Sequence, residues 1–185
     1  IDNGTQLALL TRSVYTDLEE KRSVRNAYGA LRLGSWNNLP GTLNEVSNIK
    51  NVIKRADVFT GSNVTEKGIK EFSNNGKLSK YKVIHFATHG LVVPEVPELS
   101  AVVLSQFKNE RGKEDGYLRM GEIAELDIKA DFVNLSACET GLGKIYGGEG
   151  VVGLTQSFLL AGANAVSVSL WRVADESTSQ FMVSM

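Results

Sequence analysis

One cysteine, two histidines and three prolines are all that 185 residues contain of those types. A single cysteine excludes an internal disulfide, and with it the stapled architecture of small secreted domains. It fits a reducing compartment or a reactive thiol. Neither sign of charge is in excess: 20 Lys and Arg stand against 21 Asp and Glu. No global basic footprint for nucleic acid follows from that balance. Long apolar runs are missing too, none approaching the roughly 20 residues a membrane helix needs. No signal peptide is visible. These absences set the expectation of a cytoplasmic protein with no membrane span and no direct nucleic-acid contact. The sequence starts at Ile1 and stops inside an apparent helix at Met185, which reads as a piece of a longer protein.

What is present is ordinary in bulk and informative in order. Hydrophobic residues make up 42% and charged residues 22%, enough apolar material for one domain with a real core. Leu7, Leu10, Val14 and Leu18 recur at helical spacing within residues 5–27. Residues 1–29 are therefore expected to be an N-terminal helix or connector, and 30–185 the domain, truncated at its C-terminus. Ala30 to Gly34 alternates like a short strand. Asn37 to Gly41 is turn chemistry. Thr42 with Glu45 three residues on predicts a capping box. The helix behind it carries Leu43, Val46, Ile49, Val52 and Ile53 on one face. Asp57 to Thr60 predicts a strand closed by Gly61. Thr65 predicts a cap for a helix ended by Asn74-Asn75-Gly76.

Lys82 to Thr88 and Phe132 to Ala137 read as buried strands, and Ala165 to Trp171 as a third. Ala101 to Leu104 and Gly116 to Leu118 suggest a small strand pair around the polar segment Lys108 to Asp115. Short helices are expected at Met120 to Leu126 and Val151 to Leu160, and a last one from Ser177. Five glycines between Gly141 and Gly150 predict a flexible loop. Strands alternating with helices, with near-continuous apolar strands, predict an α/β fold. Its sheet is expected to be mainly parallel, with helices on both faces.

Two of these strands end in reactive types backed by glycine: His85-Phe86-Ala87-Thr88-His89-Gly90, and Asn134-Leu135-Ser136-Ala137-Cys138-Glu139-Thr140-Gly141. Loops beyond strand carboxyl ends are where ligands and catalysis collect in α/β proteins. A thiol acts as a nucleophile mainly as its thiolate, so it needs a base beside it. His85, deep in its run, reads as a core histidine with its hydrogen bonds satisfied. His89, at the strand end, is better placed to reach substrate. It precedes Cys138 by 49 positions, close to the roughly 50 that separate histidine and cysteine in caspases. Acyl transfer also needs backbone N–H groups for the oxyanion, and Gly90 and Cys138 offer them. No metal ligand set and no cofactor are expected.

Five motifs in order resemble the CHAT domain, a caspase-like domain related to separases and often joined to tetratricopeptide repeats. They are His-Phe-Ala-Thr-His-Gly, Asn-Leu-Ser-Ala-Cys-Glu-Thr-Gly, Gly147-Gly148-Glu149-Gly150, Phe158 to Ala163, and Ser169 to Asp175. Leu39-Pro40-Gly41 followed by Glu45-Val46 resembles the family's opening. The resemblance spans about residues 30 to 185 and implies a caspase-like three-layer sandwich. It also implies a Cys-His dyad endopeptidase that cleaves a protein or peptide substrate. The implied base is His89, the nucleophile Cys138, and the oxyanion donors Gly90 and Cys138. Trp171 and Asp175 fall where such peptidases shape the primary specificity pocket, and Asp175 suits a basic residue there. Asp175 reads equally well as the N-cap of the helix from Ser177. Ser136 stands two before the cysteine, where basic-specific relatives carry Asp, and is the third candidate substrate contact. Activation by a repeat-containing partner or upstream domain is implied as well. The competing reading is a caspase-like interaction module that binds without cleaving. A nucleotide-binding domain is disfavoured, because the Gly-Gly-Glu-Gly loop lacks the Lys-Ser/Thr ending of a phosphate loop.

Overall fold

The computed structural model describes residue 28 and residues 36–93, 96–106, 114–139 and 149–168. The expected helix within 5–27, the strand at 30–34, residues 141–148 of the expected Gly141 to Gly150 loop, Trp171 to Asp175 and the last helix lie outside the described residues; Glu149 and Gly150 are helical, not loop.

Among the described residues the α-helices and strands follow in the order α1 (Pro40–Val52), α2 (Glu66–Asn74), β1 (Val83–Leu91), β2 (Ala101–Val103), β3 (Tyr117–Arg119), α3 (Met120–Ala124), β4 (Phe132–Glu139), α4 (Glu149–Leu160) and β5 (Val166–Val168). The strands form one sheet in the order β3-β2-β1-β4-β5. β1, β4 and β5 pair parallel, whereas β2 pairs antiparallel to β1 on one side and to β3 on the other. The sheet is therefore mixed, which corrects the expected mainly parallel one. The cause is connection length. Residues 92–100 join β1 to β2, shorter than the dozen or so residues that a parallel crossover needs.

The strand patterning explains the layers. Phe86 of β1, Val102 of β2, Leu118 of β3 and Val133 and Leu135 of β4 pack on one face with Ile123, Leu154 and Phe158. The Phe86 and Phe158 rings lie 5.5 Å apart, seating α4 on the sheet. The residues between them face the other way. Leu91, Ala101, Val103 and Tyr117 join Tyr28, Val96 and Leu99 in a second cluster. Further along that face the apolar pattern stops; His85 and Ser136 meet Glu45 of α1 instead, and Asn134 bonds His85. The chain is an α/β sandwich with helices against both faces.

Two local expectations are corrected. α1 starts at Pro40 with Leu39 as its cap residue, so Thr42 lies inside the first turn and donates its hydroxyl to Leu39 O at 2.7 Å. Proline is well suited to a first helical position, because the N–H it lacks would be unpaired there. Glu45 is thus released from the expected capping box. Asp57 to Thr60 is not in a strand; Gly61, at φ 56°, turns the chain directly into a short 3-10 turn. The Thr65 cap holds, with its Oγ1 accepting Gly68 N–H at 3.0 Å.

Candidate active site

β1 and β4 run side by side from Val83 opposite Phe132 to Gly90 opposite Glu139, and within that ladder His89 stands opposite Cys138. Neighbouring strands lie about 4.8 Å apart, so directly registered residues are adjacent. The structure therefore brings the backbones of the two expected dyad residues together at the carboxyl ends of two parallel strands. Only the backbone of Cys138 is described. Gly90 lies in β1 between Val102 of β2 and Glu139 of β4. Ser136 is buried, with its hydroxyl donated to Glu45 Oε2 at 3.1 Å. Trp171 and Asp175 lie outside the described residues.

His89 is 9% exposed. Its Nε2 lies 2.7 Å from the main-chain oxygen of Asn37. A carbonyl can only accept, so Nε2 carries a proton, and in the neutral ring Nδ1 then keeps its lone pair. Nδ1 has no hydrogen-bond partner among the described residues. An imidazole held by one nitrogen with the other left as an acceptor is the state a general base needs. The Trp36 ring packs beside it, centroids 5.0 Å apart. Trp36 is fixed in turn by its Nε1–H to Tyr117 Oη at 3.0 Å. Tyr117 stacks on Tyr28 at 3.9 Å, and the Tyr28 hydroxyl donates to Leu99 O. Burial pushes the Tyr28 phenol well above the ordinary tyrosine range.

His85 has both nitrogens engaged, as its mid-strand position predicts. Asn134 Nδ2 donates to Nδ1 at 2.9 Å, so Nε2 bears the proton and donates to Glu45 Oε1 at 2.6 Å. Glu45, from α1, is 1% exposed. A buried carboxylate is costly unless hydrogen-bonded, and here two donors from two strands supply the bonds.

The hollow beside β1 encloses about 910 Å³ and is lined by Trp36, Pro40, Val46, Phe59, His89 and Gln106, among others. Leu104, Ser105 and Gln106, at the base of the β2–β3 connection, also line it. Glu66, 1% exposed, holds that base by accepting Asp115 N–H at 2.9 Å and Gly116 N–H at 3.0 Å. Lys70 Nζ lies 2.6 Å from Glu66 and 2.9 Å from Glu122. Burial alone would raise the Glu122 carboxyl; Lys70 and the Arg119 N–H overcome it and hold the group below the usual range.

Three contributors have no counterpart in the sequence reading. The Asn37 oxygen is main-chain and leaves no mark in residue type. Glu45 was hidden by a plausible capping box, and Asn134 by lying inside an apolar run.

Among the described residues no group of three His, Cys, Asp or Glu could hold a metal ion, and no helix is long and apolar enough to cross a membrane. Among curated proteins and among solved structures, none matches the chain. The model of one family, the CHAT domain, matches residues 8–185, nearly the whole length, and the chain belongs to that family.

Proposed function

We propose that this chain is a cysteine endopeptidase domain that cleaves a protein substrate through a His89–Cys138 dyad. The observation that carries the reading is the register of His89 opposite Cys138 on parallel β1 and β4. The fixed His89 tautomer supports it, because Nδ1 is the nitrogen left to take a proton.

The chemistry follows from those roles. His89 Nδ1 accepts the Cys138 thiol proton. The sulfur attacks the substrate carbonyl carbon, and the carbonyl π electrons move to oxygen. The Gly90 and Cys138 N–H groups are the proposed donors to that oxyanion. Collapse breaks the C–N bond, and His89 delivers its proton to the departing amine. Water, deprotonated by His89, then attacks the thioester and releases the acid and the thiol. Throughout, the Asn37 carbonyl favours the imidazolium by accepting its Nε2–H.

Trp171 and Asp175 are proposed to shape the primary pocket, with Asp175 pairing a basic side chain. Ser136 would act from beneath through its bond to Glu45. Activation by a repeat-containing partner or domain belongs to the same proposal.

The test compares the full-length protein with Cys138→Ala and His89→Ala on a peptide library with basic, acidic and apolar residues before the cut. Cleavage by wild type alone, strongest after basic residues, is the expected result. Cleavage undiminished in Cys138→Ala sinks the dyad. No cleavage by any form, with the natural partner present, sinks the enzyme reading in favour of a binding module.

A further inference from the structure

α1 docks on the sheet in an unusual way. Of its apolar residues, Leu43 and Val52 are 56% and 72% exposed and Val46 and Ile49 only half-buried, and its one buried residue is Glu45. A surface helix normally turns a leucine or valine stripe to the core. Here the residue that enters is a carboxylate, and it lands across both strands of the candidate site. Oε1 takes the His85 Nε2–H on β1, and Oε2 takes the Ser136 hydroxyl on β4. Ser136 is registered opposite Ala87, two residues along from the His89–Cys138 pair, in the same alternate set of positions.

The amino end of the same helix reaches that pair. Asn37, three residues before α1 begins, supplies the carbonyl that holds His89 Nε2, and Trp36 packs on the imidazole. Leu39 O is tied back into the first turn by the Thr42 N–H and hydroxyl. The position of the Asn37 oxygen is thus set by where α1 sits, and α1 sits where Glu45 fixes it.

We infer that Glu45 is a positioning residue for His89. Its carboxylate clamps α1 across β1 and β4, and the clamp delivers the Asn37 carbonyl that selects the His89 tautomer with a free Nδ1. The inference rests on His89 being the base of the proposed reaction. Stability alone is a poor reason for the carboxylate, because well-packed apolar residues commonly stabilise such buried sites as well or better. Hydrogen bonds add fixed lengths and angles that apolar contacts lack.

The test uses the fact that the chain has two histidines. Long-range proton–nitrogen correlation on the labelled protein reads the tautomer of each ring without substrate, and a His89→Gln variant assigns the signals. Wild type is compared with Glu45→Gln, which still bridges the strands, with Glu45→Met, which keeps the volume but not the bonds, and with Ser136→Ala, which removes one arm. His89 is expected to keep its Nε2–H tautomer in wild type and Glu45→Gln. In Glu45→Met and Ser136→Ala it is expected to exchange between tautomers. In turnover, Glu45→Met is expected to lose about 10- to 100-fold in kcat with KM nearly unchanged, and Glu45→Gln to recover most of it.

A wild-type His89 tautomer in both Glu45→Met and Ser136→Ala overturns the inference. If Glu45→Met does not fold, by circular dichroism, Ser136→Ala decides by the same spectrum. A wild type that cleaves nothing but shows the expected tautomer changes sinks the peptidase reading and leaves the coupling of Glu45 to His89 standing.

Discussion

Replacing Gly162 with alanine tests how α4 is joined to the sheet. Gly162 closes α4 with φ at 106°, a conformation that L residues rarely adopt. A Cβ built there would lie 2.0 Å from the carbonyl oxygen of Ile128. That carbonyl cannot easily retreat. Ile128 N–H is bonded to Ala161 O at 2.8 Å, and Asn164 N–H to Ala130 O at 2.9 Å, pinning both segments. The backbone conformation costs about 1–3 kcal/mol, and overpacking against main chain adds about 1–3 kcal/mol. We expect Gly162→Ala to lose about 4 kcal/mol, which for a chain of this size lowers Tm by about 10 °C. Two other glycines separate the causes. Gly76, at φ 70° with no atom within 4 Å of its built Cβ, carries only the conformational cost, about 1–2 kcal/mol. Gly121, in α3 with equally open surroundings, should gain about 0.5–1 kcal/mol as alanine. Urea unfolding of the three variants gives the order directly. A Gly162→Ala protein no less stable than Gly76→Ala refutes the close approach of the α4 C-terminus to Ile128.

Glu66→Ala strands the N–H groups of Asp115 and Gly116 and leaves Lys70 paired with Glu122 alone. The expected loss is about 2–4 kcal/mol in urea unfolding, with faster amide exchange at those two residues; exchange unchanged at both would contradict the anchoring role. Tyr81 donates its hydroxyl to Asp57 Oδ2 at 2.6 Å, and burial, then that carboxylate, push its phenol up to about 12. A phenol raised in the folded state stabilises fully below the ordinary value of about 10 and loses that contribution as pH climbs past it. Absorbance titration should show, ahead of the still later Tyr28, a late phenol that vanishes in Tyr81→Phe and shifts down in Asp57→Asn. A Tyr81→Phe titration matching wild type would refute the assignment.

Strands and glycine-backed ends were legible because their signals are local. Lys82 to Thr88 and Phe132 to Ala137 are β-rich runs, and β1 and β4 occupy them. The Thr65 cap and the Asn74-Asn75-Gly76 stop were legible for the same reason. Strand direction was not, because it depends on what fits between strands rather than on the strands themselves. The strand expected at Asp57 to Thr60 is absent, which shows that β-prone residues need a partner edge before they make one. Glu45 marks a subtler limit. Thr42-x-x-Glu45 is a sound capping pattern, but Pro40 starts the helix earlier, and the carboxylate is drawn inward by His85 and Ser136.

The same alternation that hides Asn134 in the sequence explains why the candidate site can sit on β4 at all. Val133 and Leu135 give one face of the strand to the Phe86–Phe158 core. Asn134 and Ser136 give the other face to hydrogen bonds with His85 and Glu45. Apolar packing tolerates small slides, whereas hydrogen bonds of 2.6 to 3.1 Å to a carboxylate do not. The apolar face therefore supplies cohesion, and the polar face supplies position. His89 lies on the side governed by position. Its ring is set by a carbonyl, an indole and a helix anchored through a buried acid, so a change at Glu45 can reach the imidazole while leaving the Phe86–Phe158 core intact.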